Sequence, residues 1–318
     1  MARFLLKRLG LAIITLWLLA TIVFAIVNVL PGNVGRQVLG PFASQQSVDA
    51  YNHELGTDRP LINQYSKSLT NLATFDFGNS YSTKEDVAPK ITKALFRSAK
   101  LAGLALILTV PIGIAAGAYA ARRKDKLADR TIVMTGLATS SMPEFVTATI
   151  LVALFCSSRD SYFRAFADPP DGTSFFGQFK YLFMPGLAMA IVYFGYIARI
   201  TRAGVINALE ADYSRTAIMK GLTSGRVMRR HVLRNALGPT ISVVGVQIGY
   251  LFGGILGVEK VFNYHGLGTE ILNAIGNQDL PILSAAVLTV GIVYMLATLA
   301  ADVLIAWLNP RVLLETKR

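Results

Sequence analysis

The sequence has very little cysteine or histidine. Its 318 residues include one cysteine, Cys156, and three histidines. A single cysteine excludes an intrachain disulfide and a cysteine-rich metal site. His53, His231 and His265 lie far apart in the sequence, and the topology derived below puts them on opposite sides of a membrane. A metal site built from these histidines alone is therefore not expected.

Charged residues are also scarce. They make up 16% of the chain, while 53% of the residues are hydrophobic and the mean hydropathy is +0.48. This composition is typical of a polytopic membrane protein. The net charge of +12 does not indicate nucleic-acid binding, because no basic stretch is interleaved with the aromatic residues that base stacking needs. In membrane proteins, lysine and arginine collect instead in cytoplasmic loops near anionic headgroups.

Motifs for catalysis are missing. No G-x-x-x-x-G-K-[ST] motif is present, so the chain has no P-loop and cannot hydrolyse ATP by that route. The sequence also has no H-E-x-x-H motif, no nucleophile elbow and no pair of carboxylates within an apolar run. We therefore expect a chain that is not an enzyme, with no catalytic residue, metal or cofactor of its own.

Long apolar runs are what the chain has in abundance. A helix of about 20 apolar residues crosses a bilayer, and the sequence contains six such runs. They cover residues 9–30, 101–121, 131–156, 181–199, 240–258 and 281–307. The first run is followed by PGN and not by a small-residue cleavage site, so it is predicted to be a membrane span and not a signal peptide.

The basic residues orient these spans. With the N-terminus inside, the cytoplasmic segments are 1–8, 122–130, 199–239 and 308–318. These segments hold 19 of the 31 lysines and arginines, whereas the short outer loops 157–180 and 259–280 hold three and one. The long outer loop, 31–98, translocates largely regardless of its charge. The prediction is an all-α protein with six transmembrane helices and both termini in the cytoplasm.

The outer loop 31–98 is predicted to carry two helices of its own. The stretch SQQSVDAYNHELG has helix-capping serines at Ser44 and Ser47 and a stop signal at Gly56. The stretch PLINQYSKSLTNL has a helical stripe of apolar residues that includes Leu61 and Tyr65. We expect the second helix to lie on the outer membrane face and to cover the transmembrane core.

Two acidic residues fall inside apolar runs. Glu144 follows Pro143 near the midpoint of the third run, where a carboxylate is costly and normally faces a bundle interior or a wet cavity. It is a candidate for the translocation path, meeting a cationic part of a substrate. The alternative is a protonated or internally paired glutamate beside a proline kink. Asp302, near the cytoplasmic end of the sixth run, is expected to pair with an arginine or to snorkel.

One cytoplasmic stretch, residues 212–239, reads DYSRTAIMKGLTSGRVMRRHVLRNALGP. Gly221 divides it into two potential helices, the second of them capped by Thr223 or Ser224. Three arginines of the second helix, Arg226, Arg230 and Arg234, follow the i, i+4, i+8 spacing of one helix face. These arginines can anchor the loop on headgroups, or the helix–glycine–helix hairpin can dock on a partner.

This stretch resembles the cytoplasmic EAA loop of permeases from binding-protein-dependent ABC importers, in the form found in dipeptide and oligopeptide systems. The stretch FLLKRLGLAIITLWLLATIVFAIVNVLPG is similar to the N-terminal span of the B-type permease subunit, and LGTDRPLINQYSKSLTNLATFDFGNSY resembles the outer loop that follows it. GVEKVFNYHGLGTEILNAIGNQDLP and ADVLIAWLNPRV match the last outer loop and the C-terminus. The resemblance covers nearly the whole chain, so residues 1–318 are predicted to be one permease domain.

The resemblance implies a function and a set of partners. The function is transport of short peptides across the bacterial cytoplasmic membrane. Relatives that carry nickel, haem, glutathione or oligosaccharides are the alternatives, and a secondary transporter without an ATPase is a further one. The implied partners are a homologous C-type permease subunit, two cytoplasmic ATPase subunits that bind ATP and magnesium, and an extracytoplasmic substrate-binding protein.

The resemblance also implies where the ATPases dock. The EAA positions of the family fall on Arg215, Thr216 and Ala217, and its glycine falls on Gly221; Arg215 departs from the glutamate of the general pattern. Within the cytoplasmic coupling loop, 202–239, the predicted ATPase-coupling residues are Glu210, Asp212, Tyr213, Arg215, Thr216, Ala217, Lys220, Gly221 and Leu222.

Overall fold

The computed structural model describes residues 2–29, 33–156, 162–170, 172–174 and 176–308. Within these residues the chain is helical and has no strand, apart from one isolated bridge between Asn79 and Asp86. The helices are α1 (Ala2–Val29), α2 (Val34–Leu39), α3 (Gln45–Leu55), α4 (Leu61–Thr74), α5 (Val87–Arg122), α6 (Leu127–Ser140), α7 (Glu144–Phe155), α8 (Phe179–Glu210), α9 (Asp212–Met219), α10 (Ser224–Val227), α11 (Leu233–Val261), α12 (Leu267–Gly276) and α13 (Leu280–Leu308).

The predicted all-α membrane architecture is confirmed. Five helical stretches of the described chain are long and apolar enough to cross a membrane, and the α6–α7 pair makes a sixth candidate. Helix α8 lies at the centre of the bundle. Two thirds of the residues in its most apolar stretch are buried, and α8 packs against α5, α6, α7 and α11. Helix α1 lies at the periphery against α13 and α4, with most of its apolar side chains exposed. A peripheral apolar helix of this kind requires lipid or a partner subunit around it.

The third span is not one helix, as the apolar run 131–156 had predicted. It begins at Leu127, stops at Ser140, restarts at Glu144 and bends by 100° between the two. Pro143 has no N–H to donate and disfavours helical geometry in the residue before it, which breaks the backbone ladder. The hydroxyl of Ser140 donates to the Gly136 carbonyl at 2.7 Å, a bond within the last turn of α6.

Ion pairs between residues that are distant in the sequence lie at two ends of the helix bundle, as the predicted topology requires. At one end, Arg8 of α1 pairs with Asp302 of α13 at 3.1 Å, and Lys124 after α5 pairs with Glu210 of α8 at 3.0 Å. The Arg8 contact confirms the expected pairing of Asp302 with an arginine. At the other end, Arg97 of α5 pairs with Asp168 at 3.0 Å. The C-terminal basic residues, residue 30 of the first predicted span and residues 31–32 of the predicted outer loop lie outside the described residues.

The two predicted helices of the outer loop are present. Ser44 caps α3 through a hydrogen bond from the Ser47 amide at 3.1 Å, and Gly56 ends the helix with a left-handed backbone. Helix α4 packs on α1, where the Tyr65 and Thr21 hydroxyls lie 2.7 Å apart. Its contact with the first span agrees with the expectation that α4 covers the transmembrane helices.

Candidate coupling loop and membrane glutamate

The segment that connects the two spans is shorter than the predicted coupling loop, residues 202–239. The backbone extends at Ala211, so the long α8 runs on to Glu210 and the short α9 begins only at Asp212. At the other side, the helix that begins at Ser224 continues through one π-helical turn into the fifth span. The segment that projects between the two spans is therefore α9 with the turns that flank it.

Helix α9 is held firmly against the spans. Ser214 is buried, and its hydroxyl donates to the Ala208 carbonyl of α8 at 2.6 Å. Ala217 faces a small apolar core that joins α5, α8 and α9 to the start of the fifth span through Val205, Val227 and Val232. The inner face of α9 is therefore buried against α8 and the start of the fifth span.

Gly221 ends α9 in a Schellman turn. Its φ is +79°, a left-handed conformation that glycine adopts without a steric penalty. The Gly221 amide donates to the Ile218 carbonyl at 2.9 Å, and the Leu222 amide donates to the Ala217 carbonyl at 3.3 Å, which is the hydrogen-bond pattern of this cap. Leu222 then packs against the same core as Ala217.

Most of the predicted coupling residues lie together on the surface. Seven of the nine are exposed, Ala217 is buried and Leu222 is partly buried; the exposed ones are Glu210, Asp212, Tyr213, Arg215, Thr216, Lys220 and Gly221. The structure adds two residues that the sequence had not singled out. Ile218 is 56% exposed and Met219 is 79% exposed, directly before the turn. Exposed apolar side chains beside charged ones are typical of a protein-docking surface.

The arginines of the predicted stripe lie in three consecutive helical segments. Arg226 lies in α10, Arg230 in the π-helical turn Met228–Val232, and Arg234 in α11. A π turn inserts one extra residue, which rotates the following side chains around the helix axis. All three arginines are exposed. Thr223 is the residue before α10, but its side chain makes no capping hydrogen bond.

Glu144 is the first residue of α7, at the break in the third span. Its Oε1 accepts a hydrogen bond from the Tyr193 hydroxyl of α8 at 2.8 Å. The same hydroxyl lies 3.1 Å from the Tyr250 carbonyl of α11, so three spans meet at this point. Gly254 of α11 packs against the carboxylate, where an added Cβ would lie 2.5 Å from Oε1. Glu144 is only partly buried, and its neighbours Phe145 and Tyr250 are at least half exposed.

The comparisons with known proteins agree with this architecture. The family described as "Binding-protein-dependent transport system inner membrane component" matches residues 113–314, and its N-terminal region matches residues 1–102. The chain belongs to this family. It is therefore the multi-pass inner-membrane permease subunit of an ABC importer.

Curated relatives extend the match over the whole chain. The glutathione transport system permease protein GsiC of Escherichia coli K12 is 31% identical over 98% of this chain and 99% of its own length. GsiC of Shigella flexneri serotype 5b shows the same identity and coverage. A solved structure of an amino acid ABC transporter with histidines covers 70% of this chain and 94% of its own, with 17% identity and a TM-score of 0.48. The assignment to the family rests on the match to the two family regions and on the curated relatives.

Proposed function

We propose that this permease subunit moves short peptides inward, driven by ATP hydrolysis on two partner subunits that dock on α9. One observation carries the proposal: the exposed surface of α9 is mixed polar and apolar while its inner face is locked to α8 by Ser214 and Ala217. Such a helix can both bind a partner and transmit its movement. ATP and magnesium are bound by the partners, and this chain supplies the path.

The remaining partners follow from the same family membership. A homologous C-type permease would complete the path, and an extracytoplasmic binding protein would deliver the cargo. A groove of about 640 Å³ between α1, α11 and α13 supports a second membrane subunit, since it is mostly apolar and includes the exposed rings of Tyr250 and Tyr294. Peptide cargo is supported by the curated relatives, whose named cargo, glutathione, is itself a tripeptide.

If the ATPases dock on α9, a substitution on its exposed surface should weaken ATPase binding selectively. Met219→Asp places a charge in the exposed apolar patch, so ATPase binding should weaken about tenfold, on the order of 1.4 kcal/mol. The measurement is the amount of ATPase and second permease that co-purify with this subunit. The matched control is Leu127→Asp, because Leu127 is 81% exposed at the same end of the bundle but lies outside the coupling loop.

Three results would argue against this role. The ATPases could stay bound in Met219→Asp, or both aspartate variants could lose them equally. The wild-type subunit alone could also carry out uptake in proteoliposomes. The last result would support a secondary transporter and leave the conformation of the coupling loop without a function.

Glu144 is proposed to face the translocation path and to meet the amino terminus of a peptide. It is a partly exposed carboxylate flanked by exposed aromatic residues, which suits a cationic group that passes between the spans. Glu144→Gln should lower uptake of a free-amine peptide about tenfold, roughly 1.4 kcal/mol. Uptake of the same peptide with an acetylated amino terminus should change less than about twofold.

Tyr193→Phe is the control for Glu144→Gln. It removes the hydrogen bond to Glu144 and leaves the carboxylate charge in place, so uptake should still favour the free-amine peptide over the acetylated one. An equal loss of both peptides in Glu144→Gln would show that Glu144 serves only to hold the broken span together.

A further inference from the structure

Helices α6 and α8 are joined at two points that share one antiparallel register. Asp129 of α6 binds Arg202 of α8, and Gly136 of α6 contacts Gly195 of α8. The two contacts are seven residues apart on both helices, which is about two turns or roughly 10 Å. Two contacts in the same register hold the helices against both sliding and splaying.

The first contact is a buried, two-pronged ion pair. The side chain of Asp129 is only 3% exposed. Arg202 donates from Nε to Oδ1 at 2.5 Å and from Nη2 to Oδ2 at 2.6 Å, and the Asp125 amide donates to Oδ2 at 2.9 Å. A planar guanidinium bound through two parallel hydrogen bonds fixes orientation as well as distance. Because desolvation offsets much of the attraction in a buried pair, its main effect here is on geometry.

The second contact is between backbones. A Cβ added to Gly195 would overlap the carbonyl oxygen of Gly136, and a Cβ added to Gly136 would lie 2.9 Å from the Gly195 Cα. Glycines at a crossing allow two membrane helices to approach this closely. The part of α6 that leads into the break at Pro143 therefore lies directly on α8.

The ion pair lies between the coupling loop and the break in the third span. Arg202 is eight residues from the end of α8 at Glu210, about 12 Å along the helix, and nine residues from Tyr193, about 14 Å in the other direction. Tyr193 is the residue that binds Glu144. Helix α8 thus carries α9 at one end and the broken third span along its middle.

The geometry points to Asp129 and Arg202 as positioning residues that make the third span follow α8 when the ATPases move α9. This inference rests on the proposed docking of the ATPases on α9. The ion pair transmits the movement to α6, the glycine contact keeps α6 in register, and the break at Glu144 is displaced with both. Neither residue belongs to α9 or to the contacts of Glu144.

The test is the amount of cargo taken up per ATP hydrolysed, measured for the assembled importer in proteoliposomes. In Asp129→Asn this ratio should fall about tenfold while ATP hydrolysis stays within about twofold of the wild-type rate. Arg202→Lys keeps the charge but loses the two-pronged geometry, so it should also lower the ratio. Lys126→Gln is the control, because Lys126 is an exposed charge three residues before Asp129, and it should leave the ratio unchanged.

A second variant covers the case in which a lone buried charge prevents assembly. Asp129→Asn combined with Arg202→Gln leaves no unpaired charge and allows an amide–amide hydrogen bond, and it too should lower the ratio. The inference is overturned by an unchanged ratio in both variants, by a parallel loss of uptake, hydrolysis and thermal stability, or by failure of both to assemble. Failure of the proposed docking is a separate result, because the ATPases would then remain bound in Met219→Asp.

Discussion

Gly221→Val is expected to reduce uptake about a hundredfold while membrane insertion stays normal. Gly221 has a φ of +79°, and an added Cβ would meet nothing within 4 Å, so the cost is confined to the backbone. A β-branched residue in this conformation costs about 3 kcal/mol, which corresponds to roughly a hundredfold change in an equilibrium. The chain would leave the Schellman turn, and α9 would lose its place on the core formed with Val205 and Val227.

The neighbouring Gly225 supplies a matched control for this prediction. Its added Cβ also meets nothing within 4 Å, but it lies in α10 with an ordinary helical backbone. Gly225→Val should therefore change uptake less than about threefold, consistent with helix-propensity differences below 1 kcal/mol. Membrane yield, uptake and substrate-stimulated ATP hydrolysis are measured for both. Normal substrate-stimulated hydrolysis in Gly221→Val would contradict the role assigned to the turn.

The contrast between the two ends of α9 shows which features a sequence can predict. The C-terminal break was predictable, because glycine between two helical stretches commonly marks a left-handed cap. The N-terminal break at Ala211 was not, because alanine is the best helix former and favours continuation. There the bend depends on tertiary contacts, in which Ser214 binds the Ala208 carbonyl and Ala217 enters the core.

The third span also shows that a helix break can depend on tertiary contacts, here among the membrane-spanning helices. Apolar runs predict that a segment enters the bilayer, and all six predicted spans correspond to helices or to a pair of helices. Whether proline bends a span slightly or breaks it depends on the neighbouring helices, which must satisfy the freed backbone groups. Glu144 finds its partner Tyr193 49 residues away, and Asp129 finds Arg202 73 residues away. Pairings over such distances leave no local pattern in the sequence.

Asp279→Ala is expected to destabilise the outer end of the bundle by about 3 kcal/mol or more. Asp279 is 1% exposed and lies directly before α13. It accepts hydrogen bonds from the hydroxyls of Ser80 at 2.5 Å and Ser82 at 2.7 Å, and from the amides of Tyr81 at 3.2 Å and Ser82 at 3.1 Å. Each buried donor left without a partner costs about 1–3 kcal/mol. Thermal unfolding in detergent and proteolysis at Lys84 measure the effect.

An exposed aspartate of the outer loop 31–98, the loop that Asp279 binds, is the control for this variant. Asp76 is exposed, and its side chain accepts one hydrogen bond, from the Gly78 amide at 3.1 Å. Asp76→Ala should lower stability by about 0.5–1.5 kcal/mol at most. Equal effects of the two substitutions would show that the turn at residues 80–82 is held by other contacts.

The same carboxylate predicts how stability at the outer end depends on pH. Burial raises the pKa of Asp279, but the hydrogen bonds from Ser80, Ser82 and the amides of Ser82 and Tyr81 outweigh it and hold the pKa below its ordinary value of 3.8. A lowered folded-state pKa contributes stability that is complete above the unfolded value and is lost as the pH falls through the folded one. The wild-type protein should therefore keep the contact down to about pH 4 and release the turn at more acidic pH. Asp279→Asn should lack this acid step in hydrogen exchange of the Tyr81 and Ser82 amides, and an unchanged step in that variant would assign it to another group.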